Sequence, residues 1–114
     1  MRNPSLMFDA LLAREGGLYT FADIMDAINR GEMQSFAHDD TWVITQVLTY
    51  PRRKVLNIAY VVGKIDEAYR LEPEIVAYAK SVGADMLQAT ARLGWKKRMS
   101  PGWSEYALCM RKEI

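Results

Sequence analysis

Hydrophobic and polar residues recur with two different periods along the chain, and the change of period separates helices from strands. Up to Gly31 the apolar residues follow helical spacing, first from Pro4 to the Gly16-Gly17 pair and then over residues 20–30. The second stretch begins with Thr20 and Asp23 at the spacing of a capping box. The pattern therefore predicts two amphipathic helices before residue 32.

From Glu32 onward the apolar residues recur with period two. Residues 34–37 form a short candidate strand, and His38-Asp39-Asp40 is a typical hairpin turn. Residues 41–50 are rich in β-branched and aromatic side chains, and residues 55–63 are apolar on both faces apart from Asn57. We therefore predict a three-stranded antiparallel meander, with a break at residues 51–54.

The pattern in the last third of the chain predicts a β-α-β crossover. Residues 72–82 carry a helical apolar stripe, with Pro73 placed in the first turn because a proline inside a helix costs ~3 kcal/mol. Residues 84–90 are predicted as a strand parallel to 55–62, since a β-helix-β connection joins them. Residues 104–112 alternate again and predict a final strand.

Composition limits the class of protein. The 114 residues are predicted to form one domain over 1–114, with 50% hydrophobic and 25% charged residues and a net charge of +1. That charge excludes nucleic-acid binding driven by the whole molecule, and the single cysteine excludes an internal disulfide. Nothing resembles a signal peptide or a membrane-spanning segment, so a cytoplasmic location and no membrane association are expected.

Two clusters of basic residues are candidates for binding an anion. The larger combines Arg92 and Trp95 with the basic run 96–98, between two Gly-Trp pairs. The smaller is the loop 52–54. Seven of the fifteen basic residues lie in these clusters, which leaves nucleic-acid binding open as an alternative to two solvated loops.

Other polar groups have simpler explanations. No metal site is predicted, because His38 is the only histidine. The acidic pairs Asp39-Asp40 and Asp66-Glu67 fall in predicted turns, where acids are favoured locally. Tyr60, in the central strand, either directs its hydroxyl into a cleft or packs as a core ring.

The order helix, helix, three antiparallel strands, helix, parallel strand, short helix, strand resembles the GNAT N-acetyltransferase fold with its first strand missing. The segment RLGWKKRMSPGW looks like the C-terminal part of small phage-encoded GNAT-like proteins. The strands TWVITQVLTYP and KVLNIAYVVG look like their central hairpin. The resemblance covers roughly residues 20–112. It implies an α/β mixed sheet with a β-α-β parallel crossover, a C-terminal strand and helices on both faces.

The resemblance implies transfer of an acetyl group from acetyl-CoA to an amine. The cofactor would lie against Val61, Val62, Gly63 and Lys64, with help from Arg92 and Trp95. Two departures from the family pattern weigh against this activity. Asp66 and Glu67 stand close to where a diphosphate would bind, and the position of the family's general-acid tyrosine holds Arg98. Tyr60 and Arg98 are the catalytic candidates that remain.

The sequence therefore predicts, first, a phage-encoded binding module with a degenerate acyl-CoA cleft, a protein partner and no cofactor. Its expected location is the cytoplasm of an infected bacterium or the virion. The alternative is an acyl-CoA-dependent N-acyltransferase that uses acetyl-CoA. A further alternative is a nucleic-acid binder acting through loops 52–54 and 92–98. No pattern in the sequence predicts the oligomeric state.

Overall fold

A computed structural model describes residues 4–90, 99 and 101–114. Three helices and four strands lie within these residues, and the chain passes through them in the predicted order up to residue 90. They are α1 (Pro4–Arg14), α2 (Phe21–Asn29), β1 (Gln34–His38), β2 (Thr41–Thr49), β3 (Lys54–Val62), α3 (Ile65–Ser81) and β4 (Met86–Ala89).

Helix α2 begins as its sequence predicts. The Thr20 side chain accepts a hydrogen bond from the Asp23 backbone N–H at 3.2 Å, and the Asp23 carboxylate accepts one from the Thr20 N–H at 2.9 Å. These reciprocal bonds complete the capping box and satisfy two amides at the start of the helix.

The four strands form one mixed sheet in the order β1-β2-β3-β4. The pairs β1–β2 and β2–β3 are antiparallel, which confirms the predicted meander. Strand β4 pairs parallel to β3, from Val55↔Met86 to Ile58↔Ala89, which confirms the predicted crossover.

A β-bulge interrupts β3 at Ala59. Ile44 pairs with Tyr60, and the next residue, Thr45, pairs with Ile58. Ala59 is therefore an extra residue in β3 that has no partner in β2. Because of the extra residue, even-numbered side chains of β3 point to one face of the sheet before the bulge and to the other face after it. Leu56 and Ile58, before the bulge, pack with α3, whereas Tyr60 packs with α1 and α2.

Helices cover both faces of the sheet, as predicted. Helices α1 and α2 pack on one face around Phe8, Leu12, Ile24 and Ile44. Helix α3 packs on the other through buried Leu71 and Ile75. Within the described residues, no helix is both long and apolar enough to cross a membrane.

Helix α3 is longer than predicted. It begins at Ile65 rather than residue 72, and Pro73 lies in its interior instead of its first turn. The additional turns bury Ala68 and Leu71 against the sheet. Full burial of a leucine side chain stabilises by roughly 1.5–3 kcal/mol, which is comparable to the cost of the proline. Pro73 itself faces solvent, so its ring does not disturb the core.

The predicted C-terminal strand is wrong. Residues 103–114 have irregular backbone, and Tyr106, Leu108 and Met110 are 72–84% exposed. This tail contacts the rest of the domain through side chains: the Trp103 indole N–H donates to Glu72 Oε1 at 3.0 Å, and Arg111 donates to the Glu15 carbonyl at 2.6 Å. Alternating apolar residues favour a strand, but a strand also needs a partner for its backbone. The tail pairs with none of the four described strands.

Candidate functional site

A cleft opens where β3 and β4 separate. Their last parallel pair is Ile58↔Ala89, and the bulge at Ala59 follows immediately on β3. Alternate backbone groups of a strand point to opposite edges. Beyond Ala59, the backbone N–H and C=O groups of β3 that point away from β2 therefore face the cleft. No described residue of β4 pairs with these groups.

The cleft has a volume of about 1030 Å³. This is at the upper end of the range typical of small-molecule sites, roughly 300–1,000 Å³. One wall is residues 59–64, from the bulge to the start of α3. Thr90 stands opposite. Helix α1, the β1–β2 turn and the first turn of α3 complete the lining with Met7, Ala10, Leu11, Arg14, Glu15, Asp39, Asp40, Thr41 and Glu67.

The structure brings five of the predicted site residues together. Tyr60, Val61, Val62, Gly63 and Lys64 all line the cleft. The other three candidates, Arg92, Trp95 and Arg98, lie outside the described residues, as does nearly all of the predicted basic turn. Sequence reasoning thus located one wall of the cleft.

Gly63 is required by a close approach of β2. Its φ of +123° is disfavoured for any residue with a side chain. A Cβ at this position would lie 2.4 Å from Thr41 Oγ1 and 2.8 Å from Thr41 Cα. The first residue of β2 thus occupies the space that a side chain at residue 63 would need. This glycine serves the packing of β2 against the start of α3.

The Thr41 hydroxyl connects two parts of the α3 N-terminus. It accepts a hydrogen bond from the Lys64 backbone N–H at 3.0 Å and donates one to Glu67 Oε1 at 2.8 Å. Thr41 is fully buried. The N-terminus of a helix attracts anions through its amides and its dipole. Here the Lys64 amide is engaged by Thr41, and a carboxylate of the same chain stands beside it.

Tyr60 serves both as a core ring and as a cleft residue. Its ring meets that of Tyr19 edge-on, with centroids 6.1 Å apart. Burial, and then the charges of Tyr19 and Glu15, raise the pKa of the Tyr60 hydroxyl above its ordinary value, while Arg111 opposes the shift. The hydroxyl therefore stays protonated at neutral pH and can donate a hydrogen bond into the cleft.

The described part of the cleft lining is acidic. Among the described residues, four carboxylates line the cleft, against the two cations Arg14 and Lys64. Sequence reasoning explained Asp39 and Asp40 by local turn preferences, and it gave Glu15 no role. No short-range pattern places the tip of the β1–β2 hairpin beside Glu67, 27 positions after Asp40 in the chain. This acidity follows from tertiary packing alone.

The basic loop between β2 and β3 contacts the connection between α3 and β4. Arg53 pairs with the Asp85 carboxylate at 3.1 Å, and the Lys54 ammonium donates to the Val82 carbonyl at 2.9 Å. Two of its three cations thus have partners within the chain. This arrangement gives the loop a role in supporting the crossover.

No protein-family model matches the sequence, and no curated protein matches it significantly. Solved structures do match its fold. An aminoglycoside acetyltransferase from an uncultured soil metagenomic sample, in complex with trehalose, superposes with a TM-score of 0.69 at 10% identity, over 97% of this chain and 86% of that one. An acetyltransferase from Trypanosoma brucei gives a TM-score of 0.61 at 16% identity, over 99% and 96%.

A ribosomal-protein-alanine N-acetyltransferase from Brucella melitensis biovar Abortus 2308 gives a TM-score of 0.53 at 17% identity, over 93% of both chains. The chain has a GNAT-like fold. At these identities the likeness establishes the architecture. It confirms the resemblance drawn from the order of elements.

Proposed function

We propose that this GNAT-like domain is an acyl-CoA-dependent N-acyltransferase. The observation that carries the proposal is the cleft that opens at the Ala59 bulge, where β3 and β4 diverge. The structural neighbours are acetyltransferases, and they support this alternative better than the binding module that the sequence placed first. An acyl-CoA would supply an activated thioester.

The cleft suits the two ends of the cofactor unequally. Its volume and the strand edge at residues 59–62 suit the narrow pantetheine arm, whose amides can bond to backbone groups. Lys64, exposed at the mouth, can hold a phosphate as a point charge. The carboxylates of Asp39 and Glu67 oppose a diphosphate at the same end.

The described side chains support proton handling and amine selection. In the overall reaction the amine nitrogen forms a C–N bond, the C–S bond breaks, and the sulfur leaves with a proton. Tyr60 lines the cleft and its hydroxyl holds a proton at neutral pH, which suits a donor to that sulfur. The acidic lining, including Glu15 and Asp40, favours an acceptor that carries positive charge.

A transfer assay tests the proposal. Release of free CoA thiol from acetyl-CoA should depend on an added primary amine, and polyamines and aminoglycosides should serve better than neutral amines. Tyr60→Phe should lower kcat by about 10²-fold, because general acid catalysis contributes at least that much. Tyr50→Phe is the matched control, since Tyr50 is exposed in the β2–β3 loop away from the cleft. Absence of amine-dependent thiol release across these amine classes would refute the proposed function.

Protein binding is a second candidate, favoured by the tail. Tyr106, Leu108 and Met110, at alternate positions of the tail, are 72–84% exposed, and exposed apolar surface of this kind is a candidate interaction site. The two candidates respond differently to substitution. A binding function would survive Tyr60→Phe and would be lost when these three residues are replaced by serine, whereas transferase activity depends on Tyr60.

A further inference from the structure

Three groups that can bind a metal meet at the α3 end of the cleft. His38 is the last residue of β1, Asp39 lies in the following turn, and Glu67 lies in the first turn of α3. One ligand atom from each lies within 4.8 Å of the other two, and His38 Nε2 is 3.6 Å from Asp39 Oδ2. The β1–β2 hairpin thus brings an imidazole and a carboxylate to a second carboxylate 28 residues further along the chain from Asp39.

We propose that His38, Asp39 and Glu67 bind one divalent transition-metal ion. One imidazole nitrogen with carboxylate oxygens is a ligand set that suits Mn²⁺, Fe²⁺, Co²⁺, Ni²⁺ or Zn²⁺. Two ligands on one such ion, each at about 2.1 Å, lie at most about 4.2 Å apart. The three ligand atoms lie within 4.8 Å of one another. Three ligands that share one ion lie roughly 3–3.6 Å apart, so binding requires the more distant atoms to approach by up to about 1–2 Å. Side-chain rotation at His38 and the exposed Asp39 can supply this movement.

A residue outside the cluster already positions one of the three ligands. The fully buried Thr41 donates its hydroxyl proton to Glu67 Oε1 at 2.8 Å, and Thr41 is in turn held by the Lys64 amide. Outer hydrogen bonds of this kind orient the ligands of metal sites and strengthen binding. The Glu67 carboxylate is thus held in place by the fold, independently of any ion.

The ion would also remove the main obstacle to cofactor binding, a consequence that rests on the proposed function. Asp39 and Glu67 together carry two negative charges at the end of the cleft where Lys64 could receive a diphosphate. A divalent ion cancels both charges and leaves coordination positions for phosphate oxygens. The acidic end of the cleft would then bind phosphate through the metal.

Titration of the metal-free protein with Mn²⁺, followed by electron paramagnetic resonance, and with Ni²⁺, followed by calorimetry, tests the site without any cofactor. One ion per chain should bind with a Kd below about 100 μM, or roughly −5.5 kcal/mol. His38→Ala and the isosteric Glu67→Gln should each weaken binding at least tenfold. Asp66→Asn is the matched control, because it removes a neighbouring charge outside the cluster, and it should leave the Kd within twofold.

Two results would overturn the proposal: no saturable binding up to about 1 mM of either ion, or equal affinity in the wild type, His38→Ala and Glu67→Gln. Circular dichroism of each variant confirms that it folds. A separate titration with CoA, with and without saturating Mn²⁺, tests the consequence, and the metal should tighten CoA binding at least tenfold. Metal binding without this effect refutes the link to the cofactor. Failure of CoA to bind under both conditions refutes the proposed function instead.

Discussion

The Gly63→Ala substitution tests the packing of β2 against the start of α3. The added methyl would stand 2.4 Å from Thr41 Oγ1, 2.8 Å from its Cα and 2.9 Å from its Cβ. Two of these atoms belong to a side chain, but the Cα belongs to the backbone of β2, where Thr41 is paired with His38 of β1. The methyl therefore cannot be accommodated by rotation of Thr41 alone.

The expected loss of stability has two contributions. A residue with a side chain in an unfavourable positive-φ conformation costs of order 1–3 kcal/mol, and overpacking costs typically 1–3 kcal/mol more. We expect Gly63→Ala to lower the free energy of unfolding by about 2–6 kcal/mol. At about 4 °C per kcal/mol for a domain of this size, Tm should fall by roughly 8–24 °C.

Gly31→Ala is the matched control for the backbone effect. Gly31 also has a positive φ, +76°, but a Cβ there would meet nothing within 4 Å. It should lose only about 1–2 kcal/mol, the cost of a left-handed conformation. Urea unfolding of both variants at neutral pH gives the comparison. Equal losses in the two variants would refute the claim that Thr41 fills the space beside Gly63.

Two further predictions concern α3 and Tyr60. Pro73→Ala should raise the free energy of unfolding by about 1–3 kcal/mol in urea unfolding, because the exposed helix interior regains a backbone N–H; a loss of stability would contradict this. Burial raises the Tyr60 pKa, so its stabilising contribution is fully present below the unfolded-state value of about 10 and is lost as pH rises through the folded-state value. Tyr60→Phe should therefore reduce the alkaline loss of stability, and identical profiles would contradict the shift.

Local patterns predicted the elements whose causes are local. The Thr20–Asp23 capping box lies within one turn of chain, and both bonds form as expected. The β2–β3 hairpin is similarly encoded by alternating β-branched residues around the break at Pro51. The parallel strand follows from the crossover rule. In each case the residues that determine the structure are close together in the sequence.

The wrong predictions concern features that depend on residues far apart in the sequence. Proline preference placed Pro73 in a first turn, but burial of Ala68 and Leu71 against the sheet extends α3 back to Ile65. Alternation predicted a strand over 104–112, yet a strand needs a paired edge that the pattern cannot supply. The cluster of His38, Asp39 and Glu67 could not be read from spacing, because the hairpin and α3 meet only in the folded chain.

Binding of CoA to the cleft is the central claim, and amide chemical shifts measured during a CoA titration test it most directly. We predict saturable shifts at residues 59–64 and at Thr90, the two walls of the cleft, with smaller changes at the remote β2–β3 loop. Where the titration includes a metal ion, saturating Zn²⁺ is used in place of Mn²⁺. Zn²⁺ is diamagnetic, so the amide signals near the site remain visible. The absence of saturable shifts up to about 2 mM CoA, roughly −4 kcal/mol, would contradict the account. Shifts confined to residues outside the cleft would contradict it as well.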